Sequence, residues 1–182
     1  RKIYVVIGHQ GEDVRSAVLE EVNEENAAFV WQREQLGTGD AVSAAREFLE
    51  NQDSTLLVFS GDVPMIRSET LAGLVQLHNE HRGKGAACTI LSVRLKDPSG
   101  YGRVLRDESG IFDSIVEQKD ASDEEKQVDE INSGIYCFDS LKLFVALAKV
   151  QNNNSQGEYY LTDVPQILRD AGEDVAIYQH ND

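Results

Sequence analysis

Three short segments of the sequence combine glycine, carboxylate and amide residues in ways that suit ligand binding. The first is Glu34-Gln35-Leu36-Gly37-Thr38-Gly39, which follows an apolar run ending at Trp31. Its paired glycines allow a ligand close to the backbone, whose amides can read a planar group. A plain strand-to-helix turn is the simpler explanation of this segment taken alone.

The second segment, Ser60-Gly61-Asp62-Val63-Pro64, follows an apolar run over residues 55–59. A carboxylate at the end of a buried strand suits Mg²⁺, because this ion takes oxygen ligands and usually retains one or two carboxylates together with substrate phosphates. An aspartate that only caps the next turn is the structural alternative. The sequence by itself leaves both interpretations open.

The third group comes from three separate stretches, which contain Gly102, Glu117 and Asn132. Glu117 and Asn132 follow or interrupt apolar runs, where a polar group without a partner would be costly. Their partners are therefore either protein groups or ligand hydroxyls, and sugar binding needs this mixture of acceptors and donors. Each residue alone is also explained by a structural hydrogen bond. If both bind one sugar ring, we expect their side chains to face one shared cleft.

The remaining reactive side chains form no recognisable site. Cys88 and Cys137 lie in apolar runs, which indicates buried free thiols. His78 and His81 are three residues apart on a predicted helix without a third metal ligand nearby in sequence, so we interpret them as an exposed helix end. The sequence has no dinucleotide-binding, serine-elbow or P-loop motif, which argues against those enzyme classes.

In the first half of the chain, predicted strands and helices alternate. Continuous apolar runs predict strands covered on both faces, and helical spacing of apolar residues predicts the helices between them. This alternation indicates a doubly wound α/β fold. The predicted strands are 3–7, 29–31, 55–59 and 86–93, and the predicted helices are 12–22, 40–50 and 68–81.

The second half has a different pattern, with strands joined by tight turns. Asp107-Glu108-Ser109-Gly110 is typical of such a turn, so this half predicts a mixed sheet. The predicted strands are 103–105, 111–116 and 131–138, followed by helices 140–150 and 163–171. The charged stretch 120–129 is interpreted as an exposed loop with a short helix.

Length and charge limit the possible functions further. The 182 residues correspond to one domain. With 17 Lys and Arg against 32 Asp and Glu, the net charge is −15 and no basic run occurs, which argues against nucleic acid as a partner. No apolar stretch approaches the ~20 residues of a membrane helix, and no secretory signal is present, so we expect a cytoplasmic protein without a membrane partner.

Taken in order, these motifs resemble one family. The chain is similar to the uridylyltransferase domain of the bacterial bifunctional N-acetylglucosamine-1-phosphate uridylyltransferase/glucosamine-1-phosphate acetyltransferase. The Asn-rich stretch that leads into Gly157-Glu158-Tyr159-Tyr160 is the most specific match. The matching motifs are Gly8-His9-Gln10-Gly11, Glu34–Gly39, Gly61–Pro64, Gly100–Arg103, Ile115–Ala121, Glu130–Gly134 and Asn152–Asp163.

The resemblance implies a Rossmann-like nucleotide-sugar transferase fold, which is α/β with a mixed, mostly parallel central sheet. It further implies that Gln32, Gly37 and Thr38 contact the uracil of UTP and that Gly61 also belongs to the nucleotide site. Asp62 would hold Mg²⁺ and would be the catalytic metal ligand.

The resemblance also implies the second substrate. Gly102, through its backbone, Glu117 and Asn132 would hold the ring of N-acetylglucosamine-1-phosphate. The sugar phosphate oxygen would attack the α-phosphorus of UTP and give UDP-N-acetylglucosamine and pyrophosphate, a precursor step for peptidoglycan and lipopolysaccharide. Positioning and charge neutralisation would supply most of the catalysis.

The chain also departs from the family pattern. Ser60 stands where the family often has Tyr. The family's Gly-rich phosphate loop precedes the start of this chain, while an Asn of the metal site and a β-helix domain follow its end. We therefore expect a fragment that is truncated at both ends and inactive alone, from a parent that is homotrimeric. A non-catalytic nucleotide-sugar binding or regulatory module and a related sugar-1-phosphate nucleotidyltransferase remain as alternatives.

Overall fold

The computed structural model describes residues 2–61, 63, 66–82 and 86–180. Asp62, the predicted Mg²⁺ ligand, lies outside the described residues. The predicted elements can be compared with the structure over the rest of the chain.

The chain begins with a β-α-β unit. Strand β1 (Ile3–Ile7) leads into helix α1 (Gly11–Glu21), and strand β2 (Ala27–Trp31) follows a short 3₁₀ turn. The two strands pair in parallel, with Ile3 opposite Ala27. This unit confirms the α/β pattern predicted for the first half, because a helical crossover is what joins parallel neighbours.

The helix predicted over residues 40–50 is two helices. Helix α2 covers Thr38–Ala44 and α3 covers Arg46–Leu49. They meet at Ala45, whose ψ of 2° departs from helical geometry. The apolar stripe is nevertheless used as expected, since Ala45 and Leu49 are both buried in the main core.

The larger sheet has six strands in the order β6-β5-β7-β4-β8, and β3 also pairs with β7. Its longest strand, β7, lies between β5 and β4 and contributes several fully buried side chains to the core. The strands are β3 (Thr55–Val58), β4 (Ala86–Arg94), β5 (Arg103–Arg106), β6 (Phe112–Val116), β7 (Glu130–Asp139) and β8 (Asp174–His180).

The α/β class and the mixed sheet are confirmed: β3, β4, β5 and β8 run in one direction, but most of the described strand pairs are antiparallel. Among the described strands, only the β1–β2 and β4–β8 pairs are parallel. The β3–β7, β4–β7, β5–β6 and β5–β7 pairs are antiparallel. The reason is that β7 runs opposite to its neighbours and the tight turn at Asp107–Gly110 folds β5 and β6 into a hairpin.

Three helices pack against the six-stranded sheet. They are α4 (Ser68–Arg82), α5 (Ser140–Leu147) and α6 (Asp163–Asp170). The interpretation of His78 as part of an exposed helix end is wrong: its side chain is fully buried against β4, where its Nδ1 lies 3.0 Å from Thr89 Oγ1. Cys88 and Cys137 are buried free thiols, as predicted. Within the described ranges, no helix has the length and apolarity needed to span a membrane.

Candidate functional site

The loop over residues 32–40, here called the glycine loop, joins the carboxyl end of β2 to the first turn of α2. The half-buried Gln32 side chain holds its two ends together. Gln32 Nε2 donates to the Gly37 carbonyl at 3.2 Å and to Asp40 Oδ2 at 2.7 Å. The loop is therefore held around one amide side chain, while Thr38, the first residue of α2, is exposed.

Two glycines of this loop are required by a close backbone contact. Gly37 has a φ of 113°, and a Cβ atom there would lie 2.6 Å from the Tyr159 carbonyl oxygen. A Cβ atom on Gly39 would lie 2.9 Å from the same oxygen. The structure thus explains the Gly-Thr-Gly sequence: without side chains at these two positions, the backbone of Tyr159 can approach the loop closely.

The three residues of the third group come together around Gly102. The Asn132 backbone N–H donates to the Gly102 carbonyl at 2.9 Å. On the other side, a Cβ atom built on Gly102 would lie 3.3 Å from Glu117 Oε2. We call Gly102, Glu117 and Asn132 together the Gly102 pocket. Glu117 and Asn132 are 15 residues apart in sequence, and they come together because β5 pairs with both β6 and β7.

Asn132 is 8% exposed and already makes two protein hydrogen bonds. Its Nδ2 donates to the Tyr136 hydroxyl at 2.7 Å, and its Oδ1 accepts from the Gly134 N–H at 3.2 Å. A side-chain amide offers two donor hydrogens and two acceptor lone pairs, so one of each remains. Asn132 is therefore held in place by the protein and keeps capacity for a ligand.

Carboxylates make the Gly102 pocket acidic. Burial raises the pKa of Glu117, the Thr162 hydroxyl acts against this, and the nearby charge of Asp120 adds to the increase. Burial likewise raises the pKa of Asp163, with further increases from Glu117 and Asp120. The pocket consequently favours groups that donate hydrogen bonds to oxygen and disfavours a second anion.

A buried arginine holds the loops around this pocket. Arg103 is 1% exposed and forms no ion pair with any carboxylate in the described part of the chain. Its guanidinium instead donates to the carbonyl of Tyr101, to Gln118 Oε1 at 2.9 Å and to the Lys126 carbonyl at 3.4 Å. Arg103 thereby ties together the three segments that flank Gly102 and Glu117.

Residues 152–163, the bridging segment, connect the glycine loop to the Gly102 pocket. On the loop side, Tyr159 N–H donates to the Leu36 carbonyl at 2.8 Å and Gly39 N–H donates to the Tyr159 carbonyl at 2.8 Å. Thr38 Oγ1 also accepts from the Leu161 N–H at 3.0 Å. These three bonds fix the loop against one face of the bridging segment.

On the pocket side, the same segment binds the turn that follows Glu117. Ser155 N–H donates to Asp120 Oδ1 at 2.9 Å, and the Lys119 ammonium donates to Gln156 Oε1. The bridging segment therefore fixes the two groups of predicted site residues relative to each other. From the sequence, this segment was predicted to be a family motif but not to connect two parts of the site.

Gly61 and the predicted metal site have less structural support than the residues above. Gly61 is exposed three residues after the end of β3, and a Cβ atom there would meet no atom of the described residues within 4 Å. Over the described ranges, no group of three His, Cys, Asp or Glu side chains is placed to hold a metal ion. Sequence reasoning missed Asp40 and Arg103, because their partners are remote or lie across a loop and no local pattern indicates them.

Comparison with known proteins places the whole chain in one family. Residues 1–182 match the Nucleotidyl transferase family over their full length. The chain belongs to the nucleotidyl transferase family. Its α/β fold with a mixed sheet is consistent with that assignment, and the family resemblance inferred from the motifs is confirmed.

Individual relatives agree with this assignment. The chain is 48% identical over 181 residues to the bifunctional protein GlmU of Enterococcus faecalis (strain ATCC 700802 / V583), covering 100% of the chain and 38% of that protein. It is 48% identical over 177 residues to the bifunctional protein GlmU of Brevibacillus brevis, covering 97% of the chain and 37% of that protein. The chain thus spans a little over a third of the length of these curated relatives.

Proposed function

We propose that this domain, within the intact protein that contains it, transfers UMP from UTP to N-acetylglucosamine-1-phosphate. The products would be UDP-N-acetylglucosamine and pyrophosphate, and the reaction would take place in the cytoplasm. The observation that carries the proposal is the pairing of the glycine loop with the Gly102 pocket through the bridging segment. Membership of the nucleotidyl transferase family and the similarity to bifunctional GlmU proteins support it.

The glycine loop suits the nucleotide. Gln32 offers a side-chain amide and Gly37 a backbone at the end of β2, and ligands of α/β proteins bind beyond the carboxyl ends of strands. Thr38 is exposed beside them, and its hydroxyl proton is available because the oxygen serves as the acceptor for Leu161. In this proposal these three residues contact the uracil, and Gly61 lies on the nucleotide side of the site.

The Gly102 pocket suits the sugar. Glu117 accepts hydrogen bonds from ring hydroxyls, Asn132 supplies one donor and one acceptor, and the Gly102 backbone approaches the ring without a side chain in the way. The acidity of the pocket also supports an orientation: the carboxylates of Glu117, Asp120 and Asp163 favour hydroxyl donors and repel phosphate. The phosphate of the sugar substrate would therefore lie on the side away from these carboxylates, free to attack UTP.

Mg²⁺ and its ligand Asp62 remain the sequence-based part of the proposal. Mg²⁺ would neutralise and align the phosphates for an in-line displacement. The chain's own residues would hold the base and the sugar at the two ends of the site. The proposal also includes a Gly-rich phosphate loop, a β-helix domain and a trimeric assembly in the intact protein.

The test is pyrophosphate release by the intact protein with UTP, Mg²⁺ and a set of sugar 1-phosphates. We expect the highest kcat/KM with N-acetylglucosamine-1-phosphate, and product identification should give UDP-N-acetylglucosamine. A higher kcat/KM with another sugar phosphate or nucleotide would favour a related nucleotidyltransferase. Binding of both substrates without turnover would favour the non-catalytic module and contradict the proposed reaction.

A further inference from the structure

Asp40 lies in the first turn of α2, eight residues after Gln32. Its carboxylate accepts a hydrogen bond from the Gln32 side-chain amide. Gln32 and Asp40 line an open groove of about 280 Å³ together with Trp31 and Leu36. We propose that Asp40 is a specificity-determining positioning residue, which fixes the Gln32 amide so that its oxygen faces the base and selects uridine over cytidine nucleotides. This inference rests on the proposed function, in which Gln32 contacts the base.

The chemistry of the partners determines which way the Gln32 amide is turned. The Asp40 carboxylate and the Gly37 carbonyl are both acceptors, and they lie 2.7 Å and 3.2 Å from Gln32 Nε2. Only the NH₂ end of an amide can donate to both, and it has two hydrogens for this purpose. A flipped amide would place its oxygen against a carboxylate oxygen, which is repulsive and leaves both acceptors without a donor.

Asp40 is the stronger of the two constraints. It is charged, and its hydrogen bond is the shorter one, as expected for a charge-assisted contact. The Gly37 carbonyl alone would retain one weaker bond, which an alternative amide rotamer can give up. The carboxylate therefore sets the orientation, and the carbonyl reinforces it.

The fixed orientation leaves Gln32 Oε1 as the group that a base can use. Within the described part of the chain, no hydrogen bond is made to this oxygen, and the Gly37 N–H donates to no described residue. The oxygen lies on the far side of the amide carbon from Asp40, because the two amide atoms diverge from that carbon. The glycine loop thus presents one fixed side-chain acceptor and one backbone donor.

This pattern matches uracil and does not match cytosine. Uracil presents the N3–H donor beside the O4 acceptor, so Oε1 can accept from N3 while a backbone N–H serves O4. Cytosine presents an N3 acceptor beside an N4 amino donor, which inverts the pattern. A Gln32 side chain free to flip could also donate to N3 of cytosine, so Asp40 adds to the discrimination that the fixed Gly37 N–H makes at the neighbouring position of the base. Thymine has the same edge as uracil, so Asp40 does not separate these two bases.

The inference is tested by measuring the dissociation constants of UTP and CTP for the intact protein, with Mg²⁺ and without sugar phosphate. We expect wild type to prefer UTP and the Asp40→Asn and Asp40→Ala variants to lower that preference about tenfold or more, mainly through weaker UTP binding. Asparagine keeps the shape of the side chain but can turn either end toward Gln32. Glu47→Gln is the matched control, because it removes the same charge from an exposed position in the neighbouring helix α3.

A double-mutant cycle separates positioning from a direct contact. In a Gln32→Met background, Asp40→Asn should leave the UTP-to-CTP ratio unchanged, since there is no amide left to orient. An effect of Asp40→Asn that persists in this background would show that Asp40 acts on the nucleotide without Gln32. An unchanged ratio in both Asp40 variants, or equal binding of UTP and CTP by wild type, would overturn the inference.

The test measures nucleotide binding rather than turnover, so that a failure of this inference can be distinguished from a failure of the proposed function. A protein that prefers UTP over CTP but releases no pyrophosphate contradicts the proposed reaction, while the Asp40 variants still test the selection of the base. A protein that turns over UTP but loses no selectivity in the Asp40 variants contradicts only the role of Asp40. A protein that binds neither nucleotide contradicts both.

Discussion

The glycine loop and the Gly102 pocket orient polar groups in two different ways. The loop is largely exposed, and its groups are held by the hydrogen bond that Gln32 donates to Asp40 and by backbone bonds to the bridging segment. In the pocket, Gly102 and Asn132 are buried and Glu117 is half-buried, and this burial raises the pKa of the Glu117 carboxyl. In the proposed function, the loop would select its ligand through hydrogen-bonding groups held in a fixed direction, and the pocket would select its ligand through a half-buried carboxylate.

The largest expected effect lies in neither region. Asp62→Asn keeps the shape of the side chain but removes the charge that a Mg²⁺ ligand needs, so turnover of the intact protein should fall about 10²-fold or more. Thermal unfolding should change little. The measurement is turnover against Mg²⁺ concentration, with Asp13→Asn on the exposed face of α1 as a control. Normal turnover with normal Mg²⁺ dependence would show that Asp62 only caps a turn.

Glu117→Gln should separate the pocket from the loop. Removing the charge should lower kcat/KM for the sugar phosphate about tenfold or more, because a carboxylate acceptor is stronger than an amide. It should at the same time stabilise the fold at neutral pH. A carboxyl whose folded pKa is raised contributes stability below its unfolded pKa of about 4, and this stability is lost as the pH rises through the folded pKa.

Thermal unfolding of Glu117→Gln and wild type between pH 4 and neutral pH checks the sign. The difference should grow in favour of the variant as the pH rises and then level off. A variant that is less stable at pH 7 by as much as at pH 4 would mean that the Glu117 charge is not penalised by burial.

A smaller effect is expected for Arg103→Lys, which tests how the pocket is held. Lysine keeps the charge but cannot reach the Tyr101 and Lys126 carbonyls and Gln118 together. Leaving these partly buried acceptors without donors should cost about 1–3 kcal/mol, or roughly 2–4 °C of Tm per kcal/mol in a domain of this size. The KM for the sugar phosphate should rise more than kcat falls, and the exposed Arg15→Lys should change neither. A loss of stability with an unchanged KM would make Arg103 purely structural.

Local sequence patterns were sufficient for elements whose signal is local. The continuous apolar run 3–7 and the turn at Asp107–Gly110 predicted β1 and the β5–β6 hairpin, and the structure agrees. Strand direction was not predictable in the same way, because the antiparallel position of β7 depends on pairing between distant segments. Strand β8 was not predicted, although Val175–Tyr178 is a continuous apolar run; its side chains are only half-buried in the structure.

The candidate site shows the same division. Motif resemblance indicated Gln32, Glu117 and Asn132, and the structure brings the last two together around Gly102. It did not indicate Asp40, whose role depends on one hydrogen bond across the glycine loop, or the Tyr159 carbonyl, whose approach requires Gly37 and Gly39. Contacts that involve backbone atoms or a side chain across a loop leave no periodic signal in a sequence.

In the proposed function, the glycine loop binds the nucleotide and the Gly102 pocket binds the sugar. This assignment is tested most directly by measuring, for the intact protein, the dissociation constants of UTP and of N-acetylglucosamine-1-phosphate in two variants, Gln32→Met and Glu117→Gln. We expect Gln32→Met to weaken UTP binding about tenfold and to leave sugar phosphate binding within about twofold of wild type, and Glu117→Gln to do the reverse. Equal loss of both ligands in each variant, or loss of the wrong ligand in either, would contradict it.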